Sequence, residues 1–128
     1  MNSADAFVRD LVYRIPALKS AYKEHMEAND ELLAHVLMAD ITRFAVSSEE
    51  AALGGSREAQ QIVAHMLCCL EHYMELADPC VVEVISASFL ENLDLEDPTT
   101  AALISEFGPA LSARLRQMND DYLGPPGW

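Results

Sequence analysis

The segment HMLCCLEH sets His65, Cys68, Cys69 and His72 at offsets of 0, 3, 4 and 7. On a helix these positions fall within an arc of roughly 100°, and two imidazoles with two thiols suit zinc. The same geometry argues against a site made from this segment alone. Its four side chains spread along about two turns, near 10 Å, too far to converge tetrahedrally on one ion. A second helix would have to contribute, and Cys80 is the only thiol outside the segment. His65, Cys69 and His72 also border an apolar stripe of Ile62, Met66, Leu70 and Tyr73, which reads as the edge of a core face. No metal and no cofactor is expected.

Carboxylate–histidine chemistry fares no better. A di-iron site needs Glu-x-x-His on two helices and two more inward Glu, whereas Glu24-His25 and Glu71-His72 are adjacent pairs pointing about 100° apart. His35 has no such partner in its segment. G-x-S-x-G, P-loop and HExxH patterns are absent, as is a Gly-rich phosphate loop. The composition is compatible with a Ser-His-Asp constellation drawn from distant residues, but nothing nominates its members. An enzyme is not expected. Asp40 falls between Val36 and Phe44, inside the expected apolar face of its helix, so it needs Arg43, Arg14 or a helix N-terminus to hold its charge.

The strongest signal is electrostatic. The chain of 128 residues has a formal charge of −13. Residues 1–57 carry nine acids and six bases; residues 58–113 carry ten acids and no Lys or Arg; the last fifteen carry two of each. Salt bridges within the middle segment are therefore impossible, and its field is either neutralised from outside or presented outward. The stretch SFLENLDLEDPTT is the expected place of presentation, with Glu91, Asp94, Glu96 and Asp97 as cation-binding groups. Phe89 or Leu95 would be the apolar anchor, and Glu71, Glu75 and Glu83 form a second rank. Such a charge disfavours nucleic acid or an anionic membrane as the direct ligand and favours fast encounter with a basic protein.

Helices must position these groups. Phe7, Leu11 and Val12 follow Ser3, a candidate N-cap, and Pro16 closes that helix and opens the next, which carries Leu18, Tyr22 and Met26. Asn29 and Asp30 read as a break and a fresh cap before Leu33, Val36, Leu37, Ile41 and Phe44 on one face. Gly54 and Gly55 end that segment, and Ser56 caps a long helix from about Arg57 to Leu76. Asp78-Pro79, Asp97-Pro98 and Gly108-Pro109 each restart the chain, the last opening a helix with Leu111 and Leu115 inward. The β-branched run in CVVEVISASFL is compatible with a strand, but its Asp-Pro start and the spacing of Val81, Val82, Ile85 and Phe89 favour a helix. The expectation is an all-α fold of six or seven helices, a single-domain bundle or short stack of helical hairpins over residues 1–123, with a flexible Gly/Pro-rich tail at 124–128. The opening MNSADAFVRDLVYRIP lacks the apolar run of a secretory leader, no run is long enough to span a bilayer, and three cysteines suit a reducing, cytoplasmic setting.

Three stretches carry a family likeness. IPALKSAYKEHMEANDELLAHVLMADITRF resembles the opening of a family of small acidic bacterial proteins, a domain of unknown function. Its pattern is P-x-L, Y-x-E-H, an Asn/Asp-rich break, L-L-x-H and M-x-D-x-x-R. VVEVISASFLENL and GPALSARLRQM resemble its later segments, so the likeness runs from about Ile15 to Met118, with nothing of the pattern between Phe44 and Arg57. The resemblance implies a helical fold and no catalytic residue. It also implies company with polymorphic toxin systems, in the way of immunity proteins. The expected function is thus a cytoplasmic immunity protein that blocks the basic cleft of a secreted toxin domain. The alternatives are an acidic nucleic-acid mimic that inhibits a phage-defence or other nucleic-acid-binding protein, and a helical small-ligand-binding domain or enzyme.

Overall fold

A computed structural model describes residues 2–119, and no strand occurs among them. The residues expected at 120–123, and the Gly/Pro-rich tail, lie outside the described residues. Seven α-helices follow one another: α1 (Ser3–Arg14), α2 (Lys19–Asn29), α3 (Ala34–Leu53), α4 (Arg57–Leu76), α5 (Pro79–Ile85), α6 (Pro98–Ser105) and α7 (Pro109–Met118). A 3₁₀ turn (Pro16–Leu18) leads into α2, and a π turn (Ser86–Leu90) continues α5. No helix among the described residues is long and apolar enough to cross a membrane.

Local chemistry sets most boundaries. Ser56 caps α4 by accepting the Ala59 N–H at 3.1 Å, and Gly55, at φ +105°, makes the left-handed turn that Gly supplies without strain. Asp78 caps α5 through the Cys80 and Val81 N–H groups, with Pro79 in the first turn where its missing N–H is harmless. Two starts differ from expectation. Asn2, one residue before Ser3, caps α1 by accepting the Asp5 N–H at 2.8 Å, while the Ser3 hydroxyl donates to Asp78 and ties the first helix to the fifth. Asp30 is the left-handed C-cap of α2, at φ 59°, its N–H donating to the Met26 carbonyl, and is not the N-cap of α3. The Leu33 N–H at the head of α3 instead donates to Nε2 of buried His25 at 2.9 Å.

The hairpin of α3 and α4, joined through Gly54–Ser56, is the most extensive pairing; α1, α5, α6 and α7 pack around it. Phe7, Leu11, Leu37, Ile41, Met66, Leu70, Ile85, Phe89, Leu103 and Leu111 fill the core. The phase of α3 differs from the sequence expectation. Its buried face is Leu37, Met38, Ile41, Thr42, Ala45, Ser48, Glu49 and Ala52, so Val36 is left exposed and Phe44 half-buried. Asp40 turns outward with them: it pairs with Arg43, as anticipated, but on the surface rather than inside. On α4 the core stripe takes Val63, Leu67 and Cys69 as well as Met66 and Leu70, leaving Ile62 and Tyr73 at its margin.

Candidate partner-binding surface

Residues 91–97 link the π turn to α6 with a regular alternation. Leu93 is buried and Leu95 half-buried, pinning the link to the core, while Glu91, Asp94 and Glu96 around them face water. The Asp94 carboxylate accepts the Glu96 N–H at 3.0 Å and its carbonyl accepts the Asp97 N–H, an Asx-type turn that fixes the segment. Glu75 on α4 and Glu83 on α5 are also exposed. Among the described residues both ion pairs, Arg14–Asp10 and Arg43–Asp40, lie in the first half of the chain, and no carboxylate from 58 to 113 joins one.

Three of the nominated residues hold the fold instead. Asp97 is the N-cap of α6, its Oδ2 accepting both the N–H and the hydroxyl of Thr100 at 3.0 Å. Glu71 reaches across from α4 to the start of α7, where its two oxygens accept the Ala110 and Leu111 N–H groups at 2.7 and 3.0 Å. Gly108 makes room for it: a Cβ there would lie 2.5 Å from the Glu71 carboxyl carbon. Phe89 continues the Val81–Ile85 stripe into the core, is 0% exposed and packs 6.1 Å from Phe107, so it cannot serve as a partner's anchor.

Clefts flank the acidic link on both sides. One of about 360 Å³ runs between α3 and the link, lined by Glu50, Asp94, Asp97, Asn92 and Thr100 with Arg43 among them. The other, about 490 Å³, is lined by Glu83, Glu91, Ser86 and Met118 with Arg114, whose Nε donates to the Ser86 hydroxyl at 2.8 Å. A single basic side chain borders each cleft among the described lining residues, so both walls are net acidic.

The remaining chemistry-bearing residues are dispersed over the described part of the fold. On α4 His65, Cys68 and His72 are exposed and Cys69 is buried, its thiol pushed up by burial. No three His, Cys, Asp or Glu side chains among the described residues gather as a metal-ligand set. Tyr73 donates to Asp10 at 2.5 Å. Burial opposes the Asp10 charge, but this bond and Arg14 outweigh it and hold the carboxyl below its ordinary value. Burial together with the same bond pushes Tyr73 up to about 12. A family model, that of the domain of unknown function DUF7674, matches residues 8–123. The chain belongs to that family. No curated protein and no solved structure matches it. The DUF7674 match takes in α2 to α7 entire and every nominated carboxylate.

Sequence reasoning missed one ionisable group in this DUF7674 fold. Glu49, 2% exposed, sits where α3 meets α6, and no donor among the described residues reaches its Oε2. Burial, and then the hydrogen-bonded carboxyl of Glu106, push Glu49 up to about 7. The signal was positional: Glu49 lies seven residues after Thr42 and four after Ala45, on the face that the structure buries.

Proposed function

We propose that this DUF7674 chain is a cytoplasmic inhibitor of the immunity type, which covers the cationic cleft of a toxin domain with its own carboxylates. The observation that supports this reading is the exposure of Glu91, Asp94 and Glu96 on a link pinned by Leu93 and by the α6 cap, with no ion pair to a described residue. Charges of one sign on a pinned backbone steer an oppositely charged partner and lose little backbone freedom on binding. Three free thiols suit a reducing compartment.

The test begins with affinity capture from the native host and mass spectrometry of what is retained. The isolated complex is then measured by stopped-flow. Association should slow steeply as salt rises, because exposed charges are screened beyond about 8 Å at physiological ionic strength. The triple reversal Glu91→Lys/Asp94→Lys/Glu96→Lys, with Asp97 kept to preserve the cap, should slow association further. A salt-independent on-rate, or full affinity in that variant, rejects this surface.

A further inference from the structure

The apolar stripe of α3 is wider than the core that covers it. Val36 is 51% exposed, and Leu33 beside it is half-buried. Val36 lies where two clefts meet. One, about 590 Å³, opens between the start of α1, the link into α3, and α5; Asp5, Leu33, His35, Val36, Glu83 and Val84 line it. The other, about 370 Å³, lies between α2 and α3, with Glu24, Asp40 and Arg43 in its walls.

The first cleft is built rather than incidental. His35 Nδ1 is 2.7 Å from the hydroxyl of buried Ser88, which fixes the imidazole as a wall, and its Nε2 meets no described residue. The carboxylates of Asp5 and Glu83 form no ion pair with a described residue, and no Lys or Arg lines this cleft among them. An apolar spot between two unpaired anions selects an amphipathic, cationic occupant. A second copy of the chain would bring −13 of like charge, and the chain's own end, DDYLGPPGW, carries two Asp and no Lys or Arg. Both are repelled.

We infer that the basic partner docks here, with one of its apolar side chains covering Leu33 and Val36, and flanking Lys or Arg groups meeting Asp5 and Glu83. The inference rests on the reading of the partner as basic, and it adds an apolar anchor site that the acidic link lacks. The link steers; the cleft holds.

The probe is a short synthetic helix with leucines on one face and lysines on the other, titrated into the full chain and followed by backbone amide shifts and fluorescence anisotropy. Shifts should centre on Leu33–Leu37 and Val84. Val36→Asp and, independently, Glu83→Lys should each weaken binding about tenfold with an unchanged circular dichroism spectrum. Both positions are exposed, so both variants should fold. The triple reversal at the link should lower the on-rate without moving the shifts. Shifts centred on Glu91–Asp97, with Val36→Asp within twofold of the parent, overturn the docking site while leaving the proposed function standing. Absence of any salt-sensitive binding overturns both. Self-association abolished by Val36→Asp, or release of residues 120–128 by it, also overturns the inference, because the cleft would then belong to a copy or to the chain's own end.

Discussion

Replacing Glu71 by Ala tests whether this carboxylate is part of the fold rather than of a binding surface. It accepts two N–H groups at the head of α7, at 2.7 and 3.0 Å, where Gly108 as N-cap offers no side chain of its own. Hydrogen bonds to a charged group are worth about 1.5–3 kcal/mol each when desolvated. Glu71 is only half-buried, so water can replace part of both. A lost cap of about 1 kcal/mol with a lost dipole interaction of about 0.3–1 kcal/mol gives a lower bound. Together these predict about 2–3 kcal/mol of destabilisation for Glu71→Ala and about 1 kcal/mol for Glu71→Gln, which keeps one acceptor. Urea unfolding followed by circular dichroism reads the change as a lower midpoint at constant slope. Gly108→Ala sharpens the test, since the added Cβ would lie 2.5 Å from the Glu71 carboxyl carbon and must displace it. Its cost should largely vanish in the Glu71→Ala background, a non-additivity that marks direct coupling. A loss below about 0.5 kcal/mol for Glu71→Ala, or fully additive losses in the double variant, would refute the capping argument.

Glu49 predicts a pH dependence. Its folded value of about 7 stands above an ordinary 4.5, so its contribution to stability is full below pH 4.5 and is lost as pH rises through about 7. Glu49→Gln, whose amide can donate to Glu106 at any pH, should match the parent at pH 5. At pH 8 it should exceed the parent by on the order of 1–3 kcal/mol, measured by urea midpoints at the two pH values. Asp40→Ala removes a surface pair whose carboxylate side is 41% exposed, and should change stability by less than about 0.5 kcal/mol in the same assay. His25→Ala leaves the Leu33 N–H without its acceptor; a loss of about 1–2 kcal/mol is expected, with hydrogen exchange at Leu33 accelerated.

Punctuation was the most legible part of the sequence. Ser56, Asp78-Pro79, Asp97-Pro98 and Gly108-Pro109 start helices for reasons contained within four residues, and all four start where those reasons place them. The phase of α3 was not legible, because Leu33, Val36 and Phe44 form as good an apolar face as Met38, Ala45 and Ser48. Packing of α3 against both α4 and α6 decides between the two faces, and neither neighbour is visible in the local sequence. Long-range caps were invisible for a related reason: nothing near Glu71 says that its acceptors will be spent on Ala110 and Leu111. Exposure of Glu91, Asp94 and Glu96 was expected from the lack of any Lys or Arg to neutralise them; that Leu93 and Leu95 would pin the link was not legible. The burial of Phe89, the cap at Asp97 and the cleft beside Val36 depend on neighbours brought in by the fold.

The π turn at Ser86–Leu90 limits where this domain can vary in length. Within it the Ser88 carbonyl accepts from Thr42 Oγ1 and Asn92 Nδ2 at 2.9 Å each while the hydroxyl of the same residue holds His35. Deleting one residue there would restore a regular helix and rotate everything after it by about 100°, swinging Leu90 and Leu93 out of the interior. At the Gly54–Gly55 corner, by contrast, an added residue only lengthens an exposed turn. Insertions and deletions among related chains should therefore collect at that corner and spare the span from Val84 to Leu93.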